Sequence, residues 1–246
     1  MQIEILGAGE AFDETLGNTS ALVTCNDAVL LLDCGYAGPF QVWRRDASPD
    51  LLDAIYISHA HADHYFGLPA LLTRMWEDGR TKPLTIISQP QALHQIRELL
   101  DLGYIGISKR FQFAIEEREA SPAACIEYRG LRLRFAPTLH STTNLAIRIE
   151  EGAGSFCYSG DGMFTDESRE LYSGACLLLH EAYCFDPSPV HADIPRLIEM
   201  AAAAGVKKLV LTHVQRNVRN NDQRLKDLHS NVPVTLAAPG DRFEVT

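Results

Sequence analysis

Three imidazoles and a carboxylate fall within six residues in His59-Ala-His-Ala-Asp-His64, directly after the apolar run Ala54-Ile-Tyr-Ile-Ser58. Neutral imidazole nitrogen and carboxylate oxygen suit a first-row divalent cation, zinc above all. Residues 59, 61 and 63 alternate along the chain and His64 breaks the alternation, so its side chain is expected to turn to a different centre. The stretch can therefore begin two ligand sets. Histidine makes up only 9 of 246 residues, so three in six positions are poorly explained as an ordinary polar loop.

Further candidate ligands share one setting, a polar residue at the downstream end of an apolar strand. His140 follows Leu133-Arg-Phe-Ala-Pro-Thr-Leu139, Asp161 follows Phe156-Cys-Tyr-Ser-Gly160, and His213 follows Leu209-Val-Leu-Thr212. Strand ends are where a rigid scaffold presents side chains to a cleft. One histidine so placed is ordinarily structural; three such sites added to the 59–64 cluster point to metal.

The elements that must carry these residues are legible from periodicity. Met1–Leu6 reads as a first strand. Ser20–Cys25 and Ala28–Asp33 flank Asn26-Asp27, which predicts a hairpin. Ala54–Ser58 is a short buried strand. Gly67–Glu77 has helical spacing with proline in its first turn. Leu84–Ser88 reads as a strand and Pro90–Leu102 as a helix with Leu93, Ile96, Leu99 and Leu100 on one face. Strands are expected at Phe111–Ile115, Leu131–Ala136, Asn144–Ile149, Ser155–Ser159 and Leu177–His180. The helix Asp193–Ala204 stops at Gly205, and Lys208–Thr212 and Val234–Ala237 complete the pattern. Strands dominate both halves, each half ends in helices, and no long linker divides them. One domain over residues 1–246, two packed sheets with outer helices, is the expected architecture.

Bulk properties set limits. Apolar residues are 46% of the chain and charged ones 22%, ordinary for a globular protein. No apolar run approaches the roughly 20 residues of a membrane span, and Met1–Leu6 lacks the form of a signal peptide, so a cytoplasmic location is expected. The six cysteines (25, 34, 125, 157, 176, 184) contain no C-x-x-C pair and read as buried free thiols. The formal charge of −10 disfavours a protein that grips long nucleic acid over its whole surface. Charge is uneven, however: Lys207, Lys208, Arg216, Arg219, Arg224 and Lys226 face Asp222 alone in that stretch. This is either a solvated face or a place to receive an anionic substrate, with Arg216 as a candidate phosphate contact.

Together the candidate ligands resemble the five-motif pattern of the metallo-β-lactamase fold superfamily along nearly the whole chain. Asp33, ending Leu30-Leu-Leu-Asp33, matches the first motif; His59, His61, Asp63 and His64 match the second in its H-x-H-x-D-H form; His140, Asp161 and His213 match the third, fourth and fifth. The resemblance implies an α/β (α+β) fold, an αββα sandwich of two mixed sheets flanked by helices. It implies one metal on His59, His61 and His140 and a second on Asp63, His64 and His213, with Asp161 bridging and Asp33 supporting from behind. His at 61, where di-iron relatives usually place Glu, favours two Zn2+ over redox iron, with Mn2+ or Fe2+ as alternatives. Asp at 161 looks like the phosphodiesterase, lactonase and thioesterase side of the superfamily.

A closer resemblance is to ribonuclease Z-type enzymes and their small phosphodiesterase relatives. It rests on Leu6-Gly-Ala-Gly9 with Asn18-Thr-Ser20, Gly67-Leu68 after the histidine cluster, Asn144-Leu-Ala-Ile-Arg-Ile149, Leu178-Leu-His-Glu-Ala182, and His191 ahead of a helix leading to His213. In that family the Glu of the His-Glu-Ala segment orients the later His, which serves the leaving group; the positions here are Glu181 and His191. The chain departs from the pattern at Tyr183, where the family has Thr, and at Ala192, where it has Ser or Thr. Only 20 residues separate His140 from Asp161, too few for the tRNA-gripping arm of that family. Gly7-x-Gly9 is expected to form a turn at the cleft rim.

The expected function is hydrolysis of a small phosphodiester, a cyclic nucleotide or a short RNA end, through a metal-bridging hydroxide. Asp63, Asp161, His191 and Glu181 form the catalytic group. The alternatives are a lactone or thioester hydrolase of the same fold, or a true tRNA 3′-processing endoribonuclease. The resemblance also makes a homodimer an expected assembly.

Overall fold

A computed structural model describes residues 1–122, 124–228 and 230–246. The first half runs β1 (Gln2–Gly7), β2 (Ser20–Thr24), β3 (Val29–Leu32), α1 (Gly38–Arg45), β4 (Ala54–Tyr56), α2 (Ala62–Tyr65), α3 (Leu68–Glu77), β5 (Leu84–Ser88), α4 (Pro90–Gly103) and β6 (Ile115–Glu119). The second runs β7 (Cys125–Tyr128), β8 (Leu131–Leu139), β9 (Asn144–Glu151), β10 (Gly154–Tyr158), β11 (Met163–Phe164), α5 (Asp166–Tyr172), β12 (Leu177–Glu181), α6 (Ile194–Ala203), β13 (Leu209–Thr212), α7 (Arg216–Asn221), β14 (Val234–Leu236) and β15 (Arg242–Glu244).

These strands make two mixed sheets. The first is ordered β15-β1-β2-β3-β4-β5-β6, the second β11-β8-β9-β10-β12-β13-β14, with β7 paired to β8. Period-two alternation explains why the strands read as unbroken apolar runs. Leu30 and Leu32 join Tyr56, Leu133, Ile147, Phe156 and Leu179 between the sheets, whereas Leu31 turns outward to pack with Leu68, Leu71 and Leu72 of α3. In the second sheet Leu177 and Leu179 face inward, and Leu178 faces Leu197 and Met200 of α6. Helices therefore cover both outer faces, giving the αββα arrangement.

What matters for chemistry is direction. Strands β3, β4 and β5 are parallel, and so are β10, β12 and β13. Their downstream ends emerge on one edge of each sheet, so residues that follow a strand meet there although they lie far apart in sequence.

Four sequence expectations need correction. Phe111–Ile115 is not a strand: Phe111 and Phe113 stack on each other at 4.9 Å, with the Arg80 guanidinium over Phe113, and the strand begins only at Ile115. That strand is a charged sheet edge (Glu116-Glu-Arg-Glu119), which discourages pairing with other chains. Second, α1, α5, α7, β7, β11 and β15 went unread because each is short or lacks a long apolar period. Third, of the six free cysteines only Cys34 and Cys157 are buried, and Cys125 is exposed. Fourth, Asp63 does not share a side with His59 and His61 as the alternation predicts: residues 62–65 form a helical turn that brings Asp63 and His64 together in one donor group. No helix among the described residues is long and apolar enough to cross a membrane.

Candidate metal centre

Each candidate ligand stands just beyond a strand. His59 follows β4, His61 caps α2, Asp63 and His64 lie within it, His140 follows β8, Asp161 follows β10 and His213 follows β13. The seven converge on one sheet edge in two groups. Donor atoms of His59, His61 and His140 lie within 4.8 Å of one another, as do those of Asp63, His64, Asp161 and His213. Asp161 touches both groups. Its Oδ2 is 4.0 Å from Nε2 of His59 and of His140 and 3.4 Å from Nε2 of His213, while its Oδ1 is 3.4 Å from Nε2 of His64.

The rings are aimed by what holds their other nitrogen. His64 Nδ1 is 2.7 Å from Asp33 Oδ2, His140 Nδ1 donates to the Val190 carbonyl at 2.9 Å, and His59 Nδ1 meets Ser58 Oγ at 3.0 Å. Each of the three thus presents Nε2 to the centre, the usual device for fixing a ligating tautomer. His61 is the exception: its Nδ1 faces the cluster, 3.1 Å from His140 Nε2. Asp33 is fully buried and also accepts from the Ser58 amide, the Ser58 hydroxyl and the Tyr158 hydroxyl at 2.6–2.7 Å.

The backbone is strained where the site needs it. Asp33 (φ 56°) and His213 (φ 54°) are two of three non-glycine residues at positive φ among those described, a conformation that costs on the order of 1–3 kcal/mol and clusters at functional sites. Asp161 sits between Gly160 (φ 61°) and Gly162 (φ 104°); a Cβ at Gly160 would meet Asn144 Oδ1 at 2.3 Å, and one at Gly162 the Leu139 carbonyl at 2.7 Å. Asn144 braces this loop by accepting from the Asp161 amide and donating to Thr138 Oγ1 and the Ser159 carbonyl.

Electrostatics separate the two groups. Burial, reinforced by the His64 imidazole, holds His59 well below the usual imidazole range, and burial with His140 lowers His61. The first group therefore offers neutral nitrogen. In the second group burial opposes charge and the carboxylates outweigh it: Asp161, Asp63 and Asp33 hold His64 well above its ordinary value, and Asp161 with Asp63 pushes His213 up to about 9. Burial likewise works to raise Asp63 and Asp161, yet His64 and His213 hold both far below the usual carboxylate range. This arrangement demands positive charge beside the carboxylates.

A divalent cation fits that demand. His59 Nε2, His64 Nε2 and Asp161 Oδ1 are buried and have no hydrogen-bond partner; a buried polar atom left so costs about 1–3 kcal/mol. Nitrogen and carboxylate oxygen directed at common points are the donor set of divalent metals.

Glu181 and His191 stand beside this centre. Glu181, the last residue of β12 and fully buried, accepts from the Gly162 amide and contacts His191 Nδ1 through Oε1. A ring nitrogen of His191 lies within 4.8 Å of donors on His140 and Asp161. Burial and the Asp161 charge push Glu181 well up, and burial lowers His191, both shifts favouring the uncharged form. Gly7 and Gly9 do not form the expected turn: Gly7 ends β1, and Gly9 bridges to Asn18 and to Val214, next to His213.

Arg216 is engaged elsewhere, paired with Glu10 at 2.6 Å and Glu14 at 3.2 Å. Arg224 pairs with Asp222, and Arg219 donates to the Ala237 carbonyl. Three of the six basic residues in this stretch are thus satisfied within the protein. Sequence reasoning missed Ser58, Tyr158, Thr138 and the Val190 carbonyl, and gave Asn144 no role. Serine, tyrosine and threonine in apolar strands carry no signal of their own; the pairing of Ser58 with Asp33 appears only once β3 and β4 lie side by side.

The family model described as "Anti-Pycsar protein Apyc1" matches residues 1–230. The "Anti-Pycsar protein Apyc1" of Paenibacillus harenae is 28% identical over 251 residues, covering 100% of both chains. A "Ribonuclease Z" of Methanococcus aeolicus is 31% identical over 281 residues, covering 90% of this chain and 86% of its own. Among solved structures, the metallo-β-lactamase fold protein YhfI from Bacillus subtilis superposes with a TM-score of 0.84 at 23% identity, covering 99% of each chain.

Proposed function

The chain belongs to the Anti-Pycsar protein Apyc1 family, a ribonuclease Z-like group of metal-dependent hydrolases with the metallo-β-lactamase fold, and from that premise we propose that it hydrolyses a small phosphodiester, a cyclic nucleotide above all. His59, His61 and His140 would hold one Zn2+ and Asp63, His64 and His213 a second, with Asp161 shared. The observation that carries this reading is the carboxylate of Asp161 within 4.0 Å of Nε2 on His59, His64, His140 and His213, with the Glu181–His191 pair at its side.

When bound, the ions supply a water acidified to near-neutral pKa and neutralise charge on the phosphate oxygens. The chain's own residues do the rest. Asp161, close to both donor groups, would hold the attacking water in place by accepting a hydrogen bond from it. As the P–O bond breaks, His191 gives a proton from Nε2 to the departing oxygen, and Glu181 returns one to Nδ1, ending as a carboxylate. Asp33 keeps His64 oriented throughout.

The surroundings of the site support a small substrate. Between His140 and Asp161 the chain forms only the hairpin β9–β10, joined at residues 152–153, so no arm for a long RNA rises there. Tyr36 (46% exposed), Phe66 (47%) and Leu139 (55%) lie within three residues in sequence of Asp33, His64 or His140 and would offer apolar surface to a nucleobase. The overall charge of −10 also opposes binding of a long polyanion.

The test is to incubate metal-loaded protein separately with 3′,5′-cyclic nucleotides, a precursor tRNA, and a lactone and thioester panel, and to follow products by chromatography. Linear nucleotide is the expected product. Selective cleavage of the precursor tRNA, or turnover confined to lactones and thioesters, would overturn the proposal.

A further inference from the structure

Tyr183 lies face to face with His191. Their ring centroids are 4.3 Å apart and their planes 19° apart. Main-chain bonds set this register. The Tyr183 amide donates to the Ala192 carbonyl at 3.0 Å, the Ile194 amide to the Cys184 carbonyl at 2.8 Å, and the Gln215 amide to the Tyr183 carbonyl at 2.9 Å. The segment leaving β12 is thereby laced both to the segment entering α6 and to the loop that carries His213. His191 also meets the edge of His140, with centroids at 5.3 Å and planes at 61°.

An imidazole tied only through Nδ1 keeps one freedom, a swing about the Nδ1···Oε1 contact that moves Nε2. Ala192, the buried neighbour of His191, has no polar side-chain atom with which to oppose that swing. The Tyr183 ring covers the face along which the imidazole would tilt. Offset aromatic pairs of this kind attract beyond the area they bury. The hydroxyl of Tyr183 has no hydrogen-bond partner among the described residues, so the ring face, not the phenol, is what His191 meets.

We propose that Tyr183 is a positioning residue for this reaction, holding the His191 ring so that Nε2 stays directed at the departing oxygen. The proposal rests on the reading of His191 as proton donor. A misaligned donor costs most where the leaving oxygen is strongly basic and cannot depart unprotonated. It costs little where the leaving group is a stable anion.

The experiment compares two substrates, a 3′,5′-cyclic nucleotide, whose alkoxide leaving group needs a proton, and bis(p-nitrophenyl) phosphate, whose nitrophenolate does not. His191→Ala, Tyr183→Ala, Tyr183→Leu and Tyr183→Phe are assayed on both, with metal content measured in each. General-acid catalysis contributes about 10²–10⁴-fold, so His191→Ala should lose that much kcat on the cyclic nucleotide and far less on the nitrophenyl ester. Tyr183→Ala and Tyr183→Leu should show the same split at roughly tenfold, the loss expected when a donor is present but poorly held. Tyr183→Phe, which keeps the ring face, should restore wild-type behaviour on both substrates. If His191→Ala shows the split and the Tyr183 variants lose both activities equally, or neither, the positioning role is wrong and the donor reading stands. Loss in Tyr183→Phe equal to that in Tyr183→Ala would also overturn it, pointing to the hydroxyl. If His191→Ala shows no split, the donor reading itself fails.

Discussion

Asp33 Oδ2 lies 2.7 Å from Nδ1 of His64, a residue 31 positions later, and both side chains are completely buried. The contact joins the end of one strand to the helical turn beyond its parallel neighbour. It leaves His64 with Nε2 toward Asp63 and Asp161, and it gives the Asp33 charge a partner at a depth where an unpaired carboxylate is costly.

Replacing Asp33 by Asn keeps the volume and removes the charge that orients His64. Loss of such a supporting partner typically lowers metal affinity about 10–100-fold. Competition titration against a chromophoric chelator should show weakening of one binding event, with the far-ultraviolet circular dichroism unchanged. Equal weakening of two events, or of neither, would show that Asp33 does not act through His64.

Much of this site was legible in the sequence because its candidate ligands are rare residue types in a recurrent setting. His59, His61, Asp63, His64, His140, Asp161 and His213 could each be named from their position after an apolar run, and the structure brings all seven to one edge. Their supports could not be named. Tyr158 sits in Phe156-Cys-Tyr158 like any buried aromatic, and only the packing of the two sheets reveals that its hydroxyl reaches Asp33. The fold was legible where strands are buried on both faces, as in Leu30–Leu32 and Leu177–Leu179. It was not legible at Phe111–Ile115, where aromatic stacking outweighs strand propensity. The positive φ of Asp33 and His213 has no sequence signature, because neither is a glycine.

Gly160→Ala tests the loop that carries Asp161. The new Cβ would sit 2.3 Å from Asn144 Oδ1 and 2.7 Å from Ser58 Cβ, at a φ of 61° that disfavours any side chain. Chemical denaturation should show a loss on the order of 1–3 kcal/mol, together with weaker metal retention, because Asn144 also holds the Asp161 amide. Wild-type stability and metal content would contradict this account of the loop.

His180 supplies a pH dependence separate from the candidate ligands. It is fully buried, and desolvation lowers its pKa to about 4 against an ordinary 6.5. A depressed pKa means that the unfolded chain binds the extra proton first. The stability associated with neutral His180 is therefore present above about pH 6.5 and is lost as pH falls toward 4, amounting to roughly 3 kcal/mol for a shift of this size. Denaturation of metal-loaded protein at pH 7, 5.5 and 4.5 should show the gap between wild type and His180→Gln narrowing as pH falls. A gap independent of pH would remove His180 from the acid response.

The most direct measurement counts metal and turnover together. Purified protein is loaded with zinc, desalted, and assayed for metal by mass spectrometry and for hydrolysis of bis(p-nitrophenyl) phosphate, with Asp161→Ala alongside. The account predicts two ions per chain and sustained turnover, with metal lost and turnover abolished in Asp161→Ala, since that carboxylate serves both donor groups. A single ion per chain in an active protein, or turnover that survives in Asp161→Ala, would contradict it.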